Sequence, residues 1–208
     1  PPDNLRETVR NLFEQNYGGF NVTVPHKESI VPLLDALDVD ARIIGAVNTV
    51  VRNRGRFIGY NTDTIGFMRS LEPFHQRVRN KPVAVLGAGG AARAVIHTLL
   101  SNQITHHIVV INRTFPRAER LAKHFASERK TIEVRPVTKT GETILHSSLV
   151  INTTSVGMVP AVDASPVDSS RHFHSEQVVM DLIYTPIETK FLRLAKTGGA
   201  TVLGGLEM

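Results

Sequence analysis

Three short blocks near the start of the chain concentrate groups that can do chemistry: Asn21-Val-Thr-Val-Pro-His-Lys27, Ala46-Val-Asn-Thr49 and Gly59-Tyr-Asn-Thr-Asp63. Each closes a strand-like run, and sites in α/β proteins gather at strand ends. Together the blocks supply one amine (Lys27), one carboxylate (Asp63) and several amides and hydroxyls. A Lys–Asp pair can position a hydroxyl and move its proton during hydride transfer. Taken singly, Lys27 also reads as a surface lysine at a helix start, and Asp63 as a helix cap. The chemistry requires a fold that joins them.

A second constellation follows. Gly87-Ala88-Gly89-Gly90-Ala91-Ala92 lies between an apolar strand, Val83 to Leu86, and a helical segment from Ala91 to Leu100. It fits Gly-x-Gly-x-x-Ala. The first glycine permits the turn, the second lets backbone approach a pyrophosphate, and the small third residue lets helix pack on strand. Free amides at the helix N-terminus would receive the pyrophosphate. After the next strand, the position where NAD-binding chains carry an acidic residue reads Asn112-Arg113-Thr114, with Arg117 beyond. A guanidinium matches a phosphate through forked donors. That pattern predicts the 2′-phosphate of NADP, and Arg113 is the residue expected to discriminate it.

The elements that must hold these groups divide into two parts. A polar helix is expected from about Asp3 to Asn16 and a short strand from Phe20 to Val24. Lys27 to Leu37 carries apolar residues at helical spacing. Ala46–Arg52 and Arg56–Tyr60 form a hairpin around Asn53-Arg54-Gly55, and a helix runs from Thr64 to Leu71. The basic, Pro-terminated stretch Arg77–Pro82 marks a boundary, giving a substrate-side part at 1–78 and a nucleotide-binding part at 79–208. In the second part, apolar runs at Val83–Leu86, Ile108–Ile111, Ile132–Arg135, Leu149–Asn152, Val178–Leu182 and Ala200–Leu203 read as strands, with a further helix at Pro116–Phe125. Such runs argue for a parallel sheet covered on both faces. The expected fold is α/β: a Rossmann-type, doubly wound parallel sheet plus a smaller α/β domain, with the site in the cleft between them.

Composition sets the outer limits. The chain has 208 residues, 41% hydrophobic and 21% charged, with a formal charge of +5 from 24 Lys+Arg against 19 Asp+Glu. It is long enough to bury a core. Zero cysteines exclude disulfides, thiolate metal sites and cysteine nucleophiles. The nine histidines lack carboxylate partners at metal-ligand spacing, so no metal is expected. Basic residues are dispersed without interleaved aromatics, which argues against nucleic acid. No apolar run approaches the ~20 residues of a membrane span, and the polar opening carries no secretory signal; a cytoplasmic setting is expected. The lack of an initiator Met and the abrupt Gly-Gly-Leu-Glu-Met ending read as a piece of a longer chain.

The blocks NVTVPHK, GAVNT, GYNTD, GAGGAAR, NRT and GGLEM resemble, in order and spacing, those of the shikimate dehydrogenase family. The resemblance covers essentially the whole chain. It implies NADP-dependent, reversible reduction of 3-dehydroshikimate to shikimate, in aromatic amino-acid biosynthesis, with Lys27 and Asp63 as the catalytic pair. It further implies substrate contacts at Thr23, Lys27, Asn48, Asp63 and Tyr184. Cofactor contacts are implied at Gly87, Ala88, Gly89, Gly90, Ala91, Asn112, Arg113, Thr114, Arg117, Thr153, Leu182, Gly205 and Met208. The family's Ser-x-Ser block lies well upstream of NVTVP, where only 20 residues precede Asn21, and its closing Gln falls after Met208. A quinate/shikimate dehydrogenase carries the same blocks. A non-catalytic regulatory module of the same fold has no chemical reason to keep both Lys27 and Asp63.

Overall fold

The computed structural model describes residues 4–126 and 131–208. Helix α1 (Leu5–Glu14) opens the chain; the expected start at Asp3 lies outside the described residues. A four-stranded sheet follows, built from β1 (Gly19–Asn21), β2 (Ala36–Leu37), β3 (Thr49–Asn53) and β4 (Arg56–Tyr60) in the order β1-β3-β4-β2. The hairpin β3–β4 forms as expected, with Asn53 opposite Arg56. Its two turn residues, Arg54 and Gly55, have φ of 49° and 73°, the left-handed pair that a tight hairpin turn demands. Val9, Val22, Ile30, Ala41, Val47, Val50 and Phe57 fill the core beside this sheet. Phe13 and Phe20 each meet Phe57 edge-on at 5.3 Å.

The helix expected over Lys27–Leu37 does not form. The segment runs as turns, one 3₁₀ turn at Val31–Leu33, and then strand β2. Pro32 is the local reason: inside an α-helix it would remove a donor and press on the preceding turn. The tertiary reason is Asp35. Its carboxylate accepts the Phe57 amide at 2.7 Å, while its own amide donates to the Phe57 carbonyl, and Ala36–Leu37 then pair in parallel with β4. The apolar spacing serves the core from turns instead of from a helix.

A short helix that periodicity did not disclose, α2 (Val39–Ile44), follows. It is capped by the Asp38 side chain on the Ala41 amide and closed by Gly45 at φ 69°. Helix α3 (Asp63–Leu71) begins where a helix was expected. Asp63 is not its cap: Thr62 occupies that position, and the Asp63 carboxylate points elsewhere. A short helix α4 (His75–Val78) leads to the second sheet.

That sheet holds β5 (Val83–Leu86), β6 (His107–Ile111), β7 (Thr131–Arg135), β8 (Leu149–Asn152), β9 (Val178–Asp181) and β10 (Thr201–Leu203). All neighbours pair in parallel, in the order β10-β9-β8-β5-β6-β7. This is the doubly wound dinucleotide-binding order, with its switch point beside β5. Successive strand residues serve opposite cores. Val83, Val85, Ile108, Val110, Leu149, Ile151, Val178 and Met180 pack with helices α5 (Gly90–Ser101) and α6 (Phe115–Phe125). Ala84, Leu86, Val109, Ile111, Val150 and Val179 pack with α7 (Thr140–Leu145) and α8 (Lys190–Thr197). Burial on both faces explains the unbroken apolar runs. Phe67 and Leu71 of α3 lie in the same core as α5, so α3 is anchored on the larger sheet. Among the described residues, no helix is long and apolar enough to cross a membrane.

Candidate active site

The hairpin and the turn after β1 bring the polar blocks together. Lys27 lies where the chain leaves β1 through Pro25 and His26, and its carbonyl accepts the Val47 amide at 2.7 Å. The Ala46–Asn48 segment and the Asn61–Asp63 segment flank the hairpin. They are tied by Asn61 Nδ2 donating to the Ala46 carbonyl at 2.9 Å, a bond inside the protein. Asn61 Oδ1 in turn accepts the Asp63 amide. Backbone geometry is therefore set before any reacting group is considered.

On this frame Lys27 Nζ donates to Asp63 Oδ2 at 2.5 Å, although the two are 36 positions apart. Each side chain keeps only 15% exposure. Asn48 Nδ2 donates to Asp63 Oδ1 at 2.8 Å and to Thr62 Oγ1 at 2.9 Å. Asn48 Oδ1 accepts the Thr62 amide at 2.9 Å. Asp63 thus receives a donor on each oxygen, one from the amine and one from the amide. A carboxylate held on one side by Asn48 leaves its other oxygen to orient Lys27, and the amine remains near enough to solvent to meet a substrate.

The glycine loop approaches this pair directly. A Cβ on Gly90 would stand 2.7 Å from Lys27 Cβ and 3.3 Å from Ala46 Cβ. The first turn of α5 therefore abuts the Lys27 segment, and only a glycine fits there. Gly87 has φ 113°, and a Cβ on it would meet Thr153 Oγ1 at 2.5 Å. Thr153 itself is fixed through its amide (2.9 Å) and its hydroxyl (2.7 Å), both donating to the Leu86 carbonyl. Gly89 caps α5 without a side-chain acceptor, leaving the amides of the first turn for an anion.

A cavity of about 490 Å³ opens over the loop. Lys27 lines it together with Gly87, Ala88, Gly89, Gly90, Ala91, Asn112, Arg113, Thr114, Arg117 and Thr153. The residues suit a dinucleotide phosphate: a cradle kept clear of side chains, a helix N-terminus and two guanidinium groups on the wall. The two arginines differ. Arg113 is exposed and, among the described residues, spends no donor on the protein. Arg117 gives Nε to the Ala88 carbonyl at 2.9 Å and Nη2 to Glu28 Oε1 at 2.5 Å.

Not every expected residue shares this cavity. Asn48 and Asp63 reach it only through Lys27. Thr23 is exposed and offers the His26 amide its carbonyl, at 2.8 Å. Tyr184 is 61% exposed beyond β9. Leu182, Gly205 and Met208 form a separate group. The Gly205 amide donates to the Ile183 carbonyl, and a Cβ there would press on the carbonyls of Leu182 and Ile183. Met208 lies along α3, its carbonyl 2.5 Å from where a Cβ on Gly66 would stand.

Two acidic residues outside the expected contacts prove central to the architecture. Glu28, next to Lys27, meets Arg93 as well as Arg117. Its partners lie 65 and 89 positions away, and no local spacing could reveal them. Asp181, at the end of β9, is fully buried. It accepts from Asn152 Nδ2 (3.0 Å), the Ile183 amide (3.1 Å) and Thr189 Oγ1 (2.6 Å). Burial raises its carboxyl above the ordinary range despite these three donors. It joins the loops after β8 and β9, on which Thr153 and Tyr184 ride.

Comparison with known proteins agrees with this geometry. Residues 1–50 match the family model "Shikimate dehydrogenase substrate binding domain", and residues 71–195 match "Shikimate / quinate 5-dehydrogenase". A curated relative from Shouchella clausii, named shikimate dehydrogenase (NADP(+)), is 44% identical over all of this chain and 74% of its own length. The crystal structure of shikimate dehydrogenase from Aquifex aeolicus superposes with a TM-score of 0.85 at 39% identity, covering all of this chain and 73% of that one. The Thermus thermophilus shikimate 5-dehydrogenase, solved with NADP(H) and shikimate, gives 0.82 at 36%, covering all of this chain and 74% of that one. Spanning all of this chain at 36–44% identity, these matches show that the chain belongs to the shikimate dehydrogenase family.

Proposed function

We infer that this chain is an NADP-dependent shikimate dehydrogenase, interconverting 3-dehydroshikimate and shikimate. The observation that carries the reading is the Lys27–Asp63 pair at 2.5 Å, set against a dinucleotide cavity that Lys27 itself lines. Gly87 to Ala91, Asn112, Arg113, Thr114, Arg117 and Thr153 would hold the cofactor. Arg113 would meet its 2′-phosphate, since no carboxylate stands at that position to favour a ribose hydroxyl. Leu182, Gly205 and Met208 are proposed on the nicotinamide side, and Thr23, Asn48 and Tyr184 on the substrate side. The division into 1–78 and 79–208 follows these two duties, with Tyr184 reaching the substrate side from the second part. An enzyme of this biosynthesis would work in the cytoplasm.

When bound, NADPH supplies a hydride for the ketone carbon of 3-dehydroshikimate. Negative charge then grows on the carbonyl oxygen, and Lys27 Nζ is the group placed to give it a proton. Asp63 holds Nζ in position through Oδ2 and is itself held through Oδ1 by Asn48. In the reverse direction Lys27 takes the proton from the hydroxyl. Acid–base help of this kind is worth ~10²–10⁴-fold.

The test is direct. Oxidation of shikimate and of quinate is measured with NADP⁺ and with NAD⁺ on the full-length protein. Turnover of shikimate with NADP⁺ above the other three combinations supports the reading. A preference for quinate moves the substrate assignment, and no turnover with any pair points to a regulatory module.

A further inference from the structure

Glu28 adjoins Lys27, yet the two side chains turn to opposite partners. Lys27 reaches Asp63, whereas Glu28 splits its carboxylate between two arginines of the nucleotide-binding half. Oε1 accepts from Arg117 Nη2 at 2.5 Å, and Oε2 accepts from Arg93 Nε at 3.2 Å. Each arginine is also anchored to a carbonyl. Arg93 Nη1 donates to Ile44 at the end of α2 (3.0 Å), and Arg117 Nε donates to Ala88 in the glycine loop (2.9 Å). The chain of contacts runs from α2 through α5, the Lys27 turn and α6 to the loop that receives the pyrophosphate.

The turn that carries Lys27 is not helical; its backbone is tied by the His26 amide on Thr23, the Ile30 amide on the His26 carbonyl, the Val31 amide on the Glu28 carbonyl and the Val47 amide on the Lys27 carbonyl. Among the described residues, no backbone hydrogen bond ties it to α5 or α6. Meanwhile Gly90 of α5 comes close enough to Lys27 that a single methyl would clash. Something must fix how far the turn stands from α5. The Glu28 carboxylate does so with a charge-assisted bond from each arginine, the stronger class of hydrogen bond. The three side chains are only partly exposed: 32% for Glu28, 17% for Arg93 and 49% for Arg117. The pairing is thus less screened than an open surface pair.

We propose that Glu28 is a positioning residue for Lys27, locking the catalytic turn to α5, α6 and the glycine loop. The proposal rests on Lys27 being the reacting amine of the site described above. Arg117 thereby also orders the loop and the Lys27 turn, in addition to lining the cofactor cavity beside Arg113.

The test uses Glu28→Ala and Glu28→Gln in the full-length protein, with two readouts. The first needs no turnover: the rate at which Lys27 is reductively methylated by formaldehyde and borohydride, followed by peptide mass. Glu28→Ala should speed Lys27 labelling roughly tenfold, the factor that one lost hydrogen bond to a charged group carries. Glu28→Gln, which keeps one acceptor, should fall between. Lys196, on α8 and outside the cavity that Lys27 lines, should be labelled at an unchanged rate. The second readout is kinetic. Glu28→Ala should lower kcat by ~10–100-fold, because displacement of a reacting group by about 1 Å costs that much, with little change in KM for NADP⁺. Lys27 labelling that is unchanged in both variants overturns the proposal, as does a loss confined to KM for NADP⁺. If the wild-type protein turns over no shikimate, the functional reading fails. The labelling rates then still decide whether Glu28 fixes Lys27.

Discussion

Adding one methyl group at Gly90 should separate catalysis from stability. The Cβ of Gly90→Ala would lie 2.7 Å from Lys27 Cβ, short of ordinary contact at 3.4 Å by about 0.7 Å. The neighbour struck is a Cβ beside backbone and cannot swing aside like a side-chain tip. The Lys27 carbonyl is bonded to the Val47 amide at 2.7 Å, so the turn moves only by loosening that bond or by retreating from α5. Overpacking of this size costs ~1–3 kcal/mol. The gain in helix propensity from Gly to Ala returns up to ~1 kcal/mol. Net destabilisation stays near 1–2 kcal/mol, a fall in Tm of about 2–8 °C for a chain of this size. Catalysis has no such compensation. A shift of ~0.7 Å at Lys27 carries Nζ off Asp63, and misplacement by about 1 Å costs roughly 10²-fold. Steady-state oxidation of shikimate by NADP⁺ should therefore show kcat down ~10–100-fold in a protein that still melts cooperatively. Gly18→Ala, whose Cβ meets nothing within 4 Å, serves as control and should match wild type. A kcat for Gly90→Ala within about twofold of wild type would refute the argument that α5 and the Lys27 turn are packed to contact.

Lys27→Ala and Asp63→Asn should each lower kcat by ~10²–10⁴-fold in the same assay while leaving cofactor affinity, followed by quenching of NADPH fluorescence, nearly intact. Equal turnover by either variant would remove the pair from the chemistry. Arg113→Ala should raise KM for NADP⁺ at least ~10-fold, as expected for losing a charge-assisted phosphate contact, and leave KM for NAD⁺ unchanged; an unaltered ratio of the two removes Arg113 from specificity. Asp181 yields a pH prediction. Its carboxyl is raised in the folded protein, so the stability it contributes is full below the ordinary Asp range and is lost as pH rises through the raised value. The Tm difference between wild type and Asp181→Asn should therefore shift against wild type from pH 4 toward pH 7, and a pH-independent difference would contradict it.

The parts of the fold visible in the sequence were those in which burial is simple. Val83–Leu86 and Leu149–Asn152 match their expected bounds because a strand buried on both faces leaves an unbroken apolar run. The hairpin was legible from Asn53-Arg54-Gly55 because the turn needs left-handed residues. Lys27–Leu37 misled because apolar spacing records which side chains are buried, not the backbone that buries them. Pro32 and the bonds of Asp35 to β4 decide that backbone. Helices α2 and α7, six residues each, are too short to show a period, although Asp38 and Gly45 mark both ends of α2. The eight-residue α8 carries a readable signal, a Thr189 cap followed by Phe191, Leu192 and Ala195 on one face. In the site, the Lys27–Asp63 pair was legible through motif blocks, whereas Glu28 was not, because its meaning lies wholly in partners brought from α5 and α6.

The distribution of anchors explains why the reacting pair is split across distant segments. Lys27 stands on a turn bound to the small sheet through Val47. Asp63 begins α3, whose Phe67 and Leu71 are sealed into the core of the large sheet, and whose outer side is held by Ser70 Oγ donating to the Glu207 carbonyl at 2.8 Å. Asp63 is nevertheless also held by the small sheet: it follows the end of β4 at Tyr60, Asn61 Oδ1 accepts its amide, and Asn48 Nδ2 donates to its Oδ1. The pair is therefore assembled by the β3–β4 hairpin and the Lys27 turn, and α3 ties that assembly to the core of the large sheet. The large sheet contributes the glycine loop, which stands against Lys27 at Gly90. The arginine-bound carboxylate of Glu28 fixes that approach from the Lys27 side, so that the amine and the cofactor loop keep one spacing.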